Sequence, residues 1–195
     1  MPQPTGGHKR LIITHIALGS NATSSSGSPE FTLREVRQAI SSDSVKVLAE
    51  SRLFRSPAFP AGSGPDYVNA AMTLATSLSA EALLAHLHQV EADFGRERKA
   101  RWAARTLDLD LLDYGGVIAP DRATFQHWVN LPLERQMKEA PEQLILPHPR
   151  IQDRAFVLIP LADIAPDWVH PVSGQSLDSL LAALPEAEKG AVCAL

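Results

Sequence analysis

Residues 105–111 read R-T-L-D-L-D-L. If this run is a β-strand, its side chains alternate between two faces. Asp108 and Asp110 then share one face, and Leu107, Leu109 and Leu111 share the other. Two carboxylates so close repel each other, and strands generally disfavour aspartate. A cation beside them offsets that cost. Magnesium suits the role, since it takes hard oxygen ligands and is commonly held by one or two carboxylates plus substrate phosphates. On spacing alone, an edge strand with its polar face in water is the commoner outcome. The neighbourhood shifts that balance. Arg96, Arg98, Lys99, Arg101 and Arg105 crowd the preceding segment, with Trp102 among them. Alone, such a run reads as a solvated loop. Together, an acidic pair and a basic loop are what phosphoryl transfer needs: a metal bridging phosphate oxygens, and arginines neutralising the charge that spreads in the transition state.

Other residues carry weaker signals. Gly19-Ser20-Asn21 follows an apolar run but fits no phosphate-cradling glycine motif, and alone it reads as an ordinary turn. His86 and His88 stand two apart, so on a helix they do not share a face, and we read them as structural or solvent-facing. His148 sits between Pro147 and Pro149 on a stiff backbone that suits holding a ligand, although a surface histidine is the commoner case. Trp102 offers a stacking plane or an anchor for its loop. Tyr67 and Asn69 alternate onto one strand face. Asn69 needs partners there, such as the ring nitrogens and carbonyls of a heterocycle.

These residues need elements to position them. Leu11–Leu18 is rich in β-branched residues and predicts a strand, and Gly19–Glu30 a loop. Phe31–Ile40 has a helical period. Val45–Phe54 and Tyr67–Thr76 predict two strands separated by a Pro/Gly loop at Ala58–Asp66. Ser79 caps a helix running to about Phe94, with Gly95 as its stop. Leu107–Tyr114 predicts a fourth strand. Val117–Gln143 is irregular, with room for a short helix around Leu133–Glu139. Leu144–Arg150 is extended, Asp153–Ile164 holds a helix that ends or breaks near Pro160 or Pro166, and Ser176–Leu184 a short terminal one. The order β-α-β-β-α-β with C-terminal additions is the α+β, ferredoxin-like signature. Residues 11–184 form one domain in this reading, between a polar arm at 1–10 and a tail at 185–195, with 117–143 as an insertion.

Composition bounds the rest. The chain has 195 residues, 45% of them hydrophobic and 21% charged, enough for one well-cored domain. A net charge of −4 and an aromatic content of 6% argue against a nucleic-acid binder and against an RNA-binding module on this fold. Cys193 is the single cysteine, which excludes an internal disulfide and a cysteine-built zinc site. No apolar run reaches a membrane-spanning length, and Leu11–Leu18 lacks a signal-peptide cleavage pattern. The expectation is a cytoplasmic protein without membrane attachment.

The pattern as a whole resembles the 6-hydroxymethyl-7,8-dihydropterin pyrophosphokinase family. The matching pieces are I-A-L-G-S-N (Ile16–Asn21), S-R-L-F-R-S-P (Ser51–Pro57), P-D-Y-V-N-A-A (Pro65–Ala71), V-E-x-x-x-G-R (Val90–Arg96), R-W-x-x-R-T-L-D-L-D-L-L (Arg101–Leu112), L-P-H-P-R (Leu146–Arg150), R-A-F-V-L-I-P-L (Arg154–Leu161) and I-A-P (Ile164–Pro166). The resemblance implies diphosphate transfer from ATP to the pterin hydroxymethyl group, with AMP released and two magnesium ions on Asp108 and Asp110. It implies Arg96 and Arg105 at the triphosphate and transferring group, with Trp102 closing over them. It places Glu91, His148 and Arg154 on the nucleotide side, and Arg98, Lys99 and Arg101 as further phosphate contacts. Tyr67 and Asn69 would meet the pterin, with Ser56, Pro57, Ala58, Phe59 and the ring of Phe156 sandwiching it. The partners are thus ATP and a pterin, on a chain expected to be a monomer. A nucleotidyl transferase on the same fold is the competing enzyme; it would release pyrophosphate. This sequence departs from the family pattern in a basic loop one residue shorter, in Ala103-Ala104 where Gly-Pro is common, and in Ala58 where a second proline is frequent. Val117–Gln143 also runs about twenty residues longer than the resemblance leads one to expect; such a length suits a cover for the nucleotide or a contact with another subunit.

Overall fold

The computed structural model describes residues 10–24, 27–58, 64–96, 105–136 and 139–195. Its elements are β1 (Ile12–Ser20), α1 (Pro29–Ile40), β2 (Val45–Glu50), β3 (Phe54–Ser56), β4 (Tyr67–Thr76), α2 (Ala80–Asp93), β5 (Asp108–Leu111), α3 (Arg122–Val129), α4 (Leu133–Gln136), α5 (Ala155–Ile164), α6 (Leu177–Ala183), α7 (Glu186–Gly190) and β6 (Cys193–Ala194). A 3-10 turn at Ile151–Asp153 precedes α5.

All strand pairings are antiparallel. The sheet runs β5-β1-β4-β3-β6, and β2 also pairs with β4. With β2 and β3 taken together as the second core strand, this is the ferredoxin-like order. The expected single strand Val45–Phe54 is broken in two. Its register slips between Val47 and Ala49, and Ser51 then substitutes for a rung: its N–H donates to the Ala71 carbonyl at 3.0 Å, and its hydroxyl accepts from Ala71 N at 2.9 Å.

Sequence signals explain the helix ends. Ser28 caps α1, followed by Pro29 at the first turn. Ser79 accepts from Ala82 N at 3.2 Å to cap α2, and Gly95 ends it at φ +77. α5 absorbs Pro160 inside an apolar helix and continues to Ile164.

Each sheet face has its own core. Ile16, Leu18, Met72, Leu74, Leu109 and Leu111 pack under α1 and α2. Ala17, Ala71 and Leu112 pack under α5 and α6, with Leu158, Leu161 and Trp168. β4 is buried along nearly its whole length because it is covered on both sides.

Two differences from the sequence expectation have clear causes. β5 is shorter than Leu107–Tyr114 because a side chain takes over its ladder. The Asp113 carboxylate accepts from His15 N at 3.0 Å, where a strand would offer a carbonyl. It also meets His15 Nδ1 at 2.9 Å and accepts from the Trp168 indole N–H. The terminal residues are built into the fold. Phe54 pairs with Ala194 and Arg55 with Cys193, so β6 covers an edge that β3 would otherwise expose.

Asp113 is 4% exposed and joins β1 to the segment before α6. Replacing it with alanine orphans the buried His15 and Trp168 donors. Asp113→Ala should therefore cost about 3–5 kcal/mol, read as a lower urea midpoint with an unchanged m-value.

Candidate active site

The candidate residues gather where four strands reach one end of the sheet: the C-terminal ends of β1 and β3 and the N-terminal ends of β4 and β5. Register fixes which side chains meet. Asp108 lies opposite Gly19 and Asp110 opposite Ala17; Gly19 lies opposite Asn69 on the other side; Asn69 lies opposite Phe54, and Tyr67 opposite Ser56. Directly opposed residues share a face. Asp108, Asp110, Asn69, Tyr67 and Ser56 therefore all project on the side of α5, while Leu109 and Leu111 enter the core under α1 and α2.

Small residues keep the floor of this row low. A Cβ on Gly19 would lie 3.8 Å from Asn69 Oδ1, 3.8 Å from Tyr67 Cδ1 and 3.9 Å from Asp108 Cβ. Gly19 thus leaves open the space between the acidic pair and the Tyr67/Asn69 pair. Asn69 donates to Ser56 Oγ at 2.9 Å, which gives the buried amide a partner and ties β4 to the start of Pro57-Ala58.

Cations converge on the aspartates. Arg96 Nη2 lies 2.7 Å from Asp108 Oδ1, and Arg105 Nη1 pairs with Asp108 Oδ2. Arg154 Nη1 lies 3.5 Å from Asp110 Oδ2. The Arg154 guanidinium also stands 5.7 Å from the centre of the Phe156 ring, a cation–π distance. Burial, and then the Asp110 charge, push the Asp108 carboxyl above its ordinary range; Arg105 and Arg96 pull it back. Burial also raises the Tyr67 hydroxyl, which feels Arg105, Asp108 and Arg96. Asp110 is the more open carboxylate, with 37% of its side chain exposed against 18% for Asp108.

Glu91 is 1% exposed. It pairs with Arg96 and accepts from Leu109 N at 2.7 Å, so the structure sets it behind Arg96 as a brace between α2 and β5. His148 stands close enough to feel Arg154 and Asp108. Burial first, then Arg154, hold its imidazole down to about 3. Its Nδ1 accepts from Arg150 N at 3.1 Å, which leaves the ring proton on Nε2. Pro57 is exposed and Ala58 buried. Phe59, Arg98, Arg101 and Trp102 lie outside the described residues. His86, read as structural, meets the Ile40 carbonyl at 2.8 Å.

Asn21 is the residue that sequence reasoning undervalued. Its Oδ1 accepts from Arg105 N at 2.8 Å, and its Nδ2 donates to Pro65 O at 3.1 Å. Its backbone N–H and that of Ala22 both reach Arg105 O, and Ser20 Oγ donates to Thr106 O at 2.7 Å. One buried amide thus links the segment bearing Arg105 to the segment leading into Tyr67. The signal available was a turn-type asparagine following a strand, which is weak alone.

Two carboxylates, three guanidinium groups and a polar row beside Gly19 thus lie together at one end of the sheet. Residues 15–166 match the family described as 7,8-dihydro-6-hydroxymethylpterin-pyrophosphokinase (HPPK). The chain belongs to the HPPK family. Several relatives carry the name 2-amino-4-hydroxy-6-hydroxymethyldihydropteridine pyrophosphokinase. The one from Pseudomonas aeruginosa is 37% identical over 179 residues, covering 88% of this chain and 91% of the relative. That from Haemophilus influenzae is 35% identical over 164 residues, covering 84% and 88%. That from Synechocystis sp. is 44% identical over 131 residues, covering 67% of this chain and 56% of the relative. Among solved structures, wild-type HPPK-DHPS from Plasmodium falciparum with pteroate superposes with a TM-score of 0.61 at 13% identity, covering 89% of this chain and 42% of that one. The chain thus spans just over half of the Synechocystis relative and less than half of this solved chain. At that identity the structural likeness establishes the ferredoxin-like fold. HPPK-family enzymes are transferases of folate synthesis that pass pyrophosphate from ATP to hydroxymethyldihydropterin.

The depressed His148 pKa has a measurable consequence. An unfolded histidine titrates near 6.5, so below that pH the unfolded chain takes up a proton that the folded imidazole refuses until about 3. His148 therefore costs stability as pH falls through about 6.5, and the cost grows towards 3. Urea unfolding at pH 7 and pH 5 should show a smaller acid loss in His148→Gln than in the wild type.

Proposed function

We propose that this chain transfers diphosphate from ATP to the hydroxymethyl group of 6-hydroxymethyl-7,8-dihydropterin and releases AMP, with magnesium held at Asp108 and Asp110. The observation that carries the reading is the pairing of Arg96 and Arg105 with Asp108 and of Arg154 with Asp110, beside the Tyr67, Asn69 and Ser56 row. Among the described residues no group of three or more His, Cys, Asp or Glu forms a closed metal cage. An open carboxylate pair is what magnesium uses when substrate phosphates complete its shell. Burial and the Asp110 charge raise the Asp108 pKa against the pull of Arg105 and Arg96, and a bound cation would favour the charged carboxylate there.

Asp108 and Asp110 would hold the magnesium, which when bound would supply neutralising charge to phosphate oxygens. The chain's own residues supply the rest. Arg96 and Arg105 are placed to exchange a carboxylate oxygen for a phosphate oxygen, as charge-assisted donors. Glu91 keeps Arg96 aimed from behind. Arg154 and the Nε2–H of neutral His148 serve the nucleotide, as do Arg98, Arg101 and Trp102 of the basic loop. Tyr67, Asn69, Ser56, Pro57, Ala58 and Phe59 hold the pterin, with Phe156 on its other face. His148 feels the Asp108 charge, but its Nδ1 already accepts from Arg150 N, so it offers no free base for the alcohol; catalysis in this reading rests on positioning and charge, without a covalent intermediate.

We further propose that 11–184 acts as one pyrophosphokinase domain, with β6 of the 185–195 tail paired onto its β3 edge, as a cytoplasmic monomer without nucleic-acid partners. Among the described residues, no helix is long and apolar enough to cross a membrane.

Incubation with the pterin, ATP and magnesium should yield AMP and the pterin diphosphate. Pyrophosphate in place of AMP would point to nucleotidyl transfer and overturn the reading. Chelation with EDTA should stop turnover, and added magnesium should restore it. Asp110→Ala should lower kcat at least about a hundredfold with the circular dichroism spectrum and Tm retained; near-normal turnover would remove the metal role.

A further inference from the structure

We propose that Arg150 is a positioning residue that docks helix α3 and, through that dock, fixes the place of the His148 imidazole on the nucleotide side. The inference rests on the reading that His148 faces the nucleotide.

α3 is short and has little to hold it. Of its eight residues only Phe125 is buried, and an isolated helix of that length is marginal in water. Its cap is local: Asp121 accepts from Thr124 N at 2.8 Å. Its remaining anchors are tertiary. At the N-terminal end, Arg122 donates to the Val172 carbonyl at 3.1 Å. In the middle, the Phe125 ring lies 5.9 Å from His170. At the C-terminal end, a single guanidinium collects the carbonyls that a helix end leaves without partners. Arg150 donates to Trp128 O at 2.9 Å, Val129 O at 3.1 Å and Leu131 O at 3.2 Å, and to Asp153 Oδ2 at 3.1 Å. A cation at this end is also favoured by the helix dipole. The fork geometry of arginine lets one side chain serve all four acceptors.

The same residue touches His148 through its backbone. Arg150 N donates to His148 Nδ1 at 3.1 Å, and His148 N donates to Leu112 O at 2.7 Å. Leu112 directly follows β5, two residues beyond Asp110. His148 thus hangs between the strand carrying the aspartates and the residue gripping α3. Its Nδ1 is occupied as an acceptor, so Nε2–H is the group it can present. If the Arg150 side chain is cut away, the turn 148–150 loses its fastening to α3, and the ring loses its fixed orientation. This assigns part of the long 117–143 segment a purpose: α3 buttresses the nucleotide side from outside, without touching the reacting groups.

The test uses the full chain with Arg150→Ala, Arg150→Lys and Phe125→Ala. Steady-state assays give KM for ATP and for the pterin separately. Nitrogen NMR of the labelled His148 ring gives its tautomer at pH 7. Arg150→Ala should raise KM for ATP about tenfold while KM for the pterin stays within about twofold, and the single Nε2–H tautomer should give way to a mixture. Arg150→Lys keeps the charge but lacks the planar fork that spans the separated acceptors, so its KM for ATP should fall between the two. Phe125→Ala loosens α3 with Arg150 in place and should shift KM for ATP in the same direction. A folded Arg150→Ala with wild-type KM for ATP and a wild-type ring spectrum overturns the proposal. So does an equal rise in both KM values, which would mark a general loss of structure. If Arg150→Ala does not fold, the lysine variant decides by the same criteria. The ring measurement needs no turnover, so an inactive wild type would count against the pyrophosphokinase activity and leave the coupling to the NMR result.

Discussion

Asp108 is a carboxylate on a strand, largely shielded from water and two residues from a second carboxylate. Desolvation and repulsion both disfavour its charge. The fold can keep that charge only by bringing cations to it, and much of the surrounding structure serves this end. Arg96 emerges just past the C-terminus of α2, is gripped by buried Glu91, and reaches Asp108. Glu91 in turn satisfies the N–H of Leu109 on the same strand. Arg105 arrives from the other side, with its backbone pinned by Asn21. Arg96 and Arg105 thus offset part of the cost of charge on Asp108, whose carboxyl still sits above its ordinary range.

The rest of the site follows from how strands end. β1, β3, β4 and β5 reach the same end of the sheet, and direct register sets Asp108, Gly19 and Asn69 in one row, with Ser56 and Tyr67 in the next. Only the α5 side of the sheet carries this row; the α1/α2 side is filled by leucines and other apolar residues. Both faces carry an apolar core, and the α5 face adds the polar row at its end. Gly19 fits the arrangement because a side chain there would occupy the space between the acidic and amide pairs. Its φ is unexceptional, so the room it leaves, and not backbone freedom, gives glycine its value at this position.

The expected helices at Phe31–Ile40 and Ser79–Phe94 and the strand at Tyr67–Thr76 were legible because their signals are local: a serine cap, a glycine stop, an apolar run of the right length. The D-x-D strand and its basic approach were legible because alternation alone places two aspartates together. What stayed hidden depended on distant partners. The split of β2 from β3 turns on Ser51 bonding Ala71, twenty residues away. The early end of β5 turns on Asp113 meeting His15 across 98 residues. α3 is short and buries only Phe125, and its anchors come from Val172, His170 and Arg150. β6 is too short to announce itself, and forms because β3 offers an edge.

The sequence by itself determined the chemistry available: which carboxylates share a face, which arginines precede them, and which family pattern they complete. That information is local because strand alternation and helix capping act within a few residues. Only the tertiary structure decided how those groups are used. It made Glu91 a brace for Arg96, turned Asn21 into the link between two segments, held His148 neutral with its proton on Nε2, and fastened α3 through Arg150. Burial and pairing are properties of groups brought together from far along the chain, and they set charge states and orientations that no run of adjacent residues can specify.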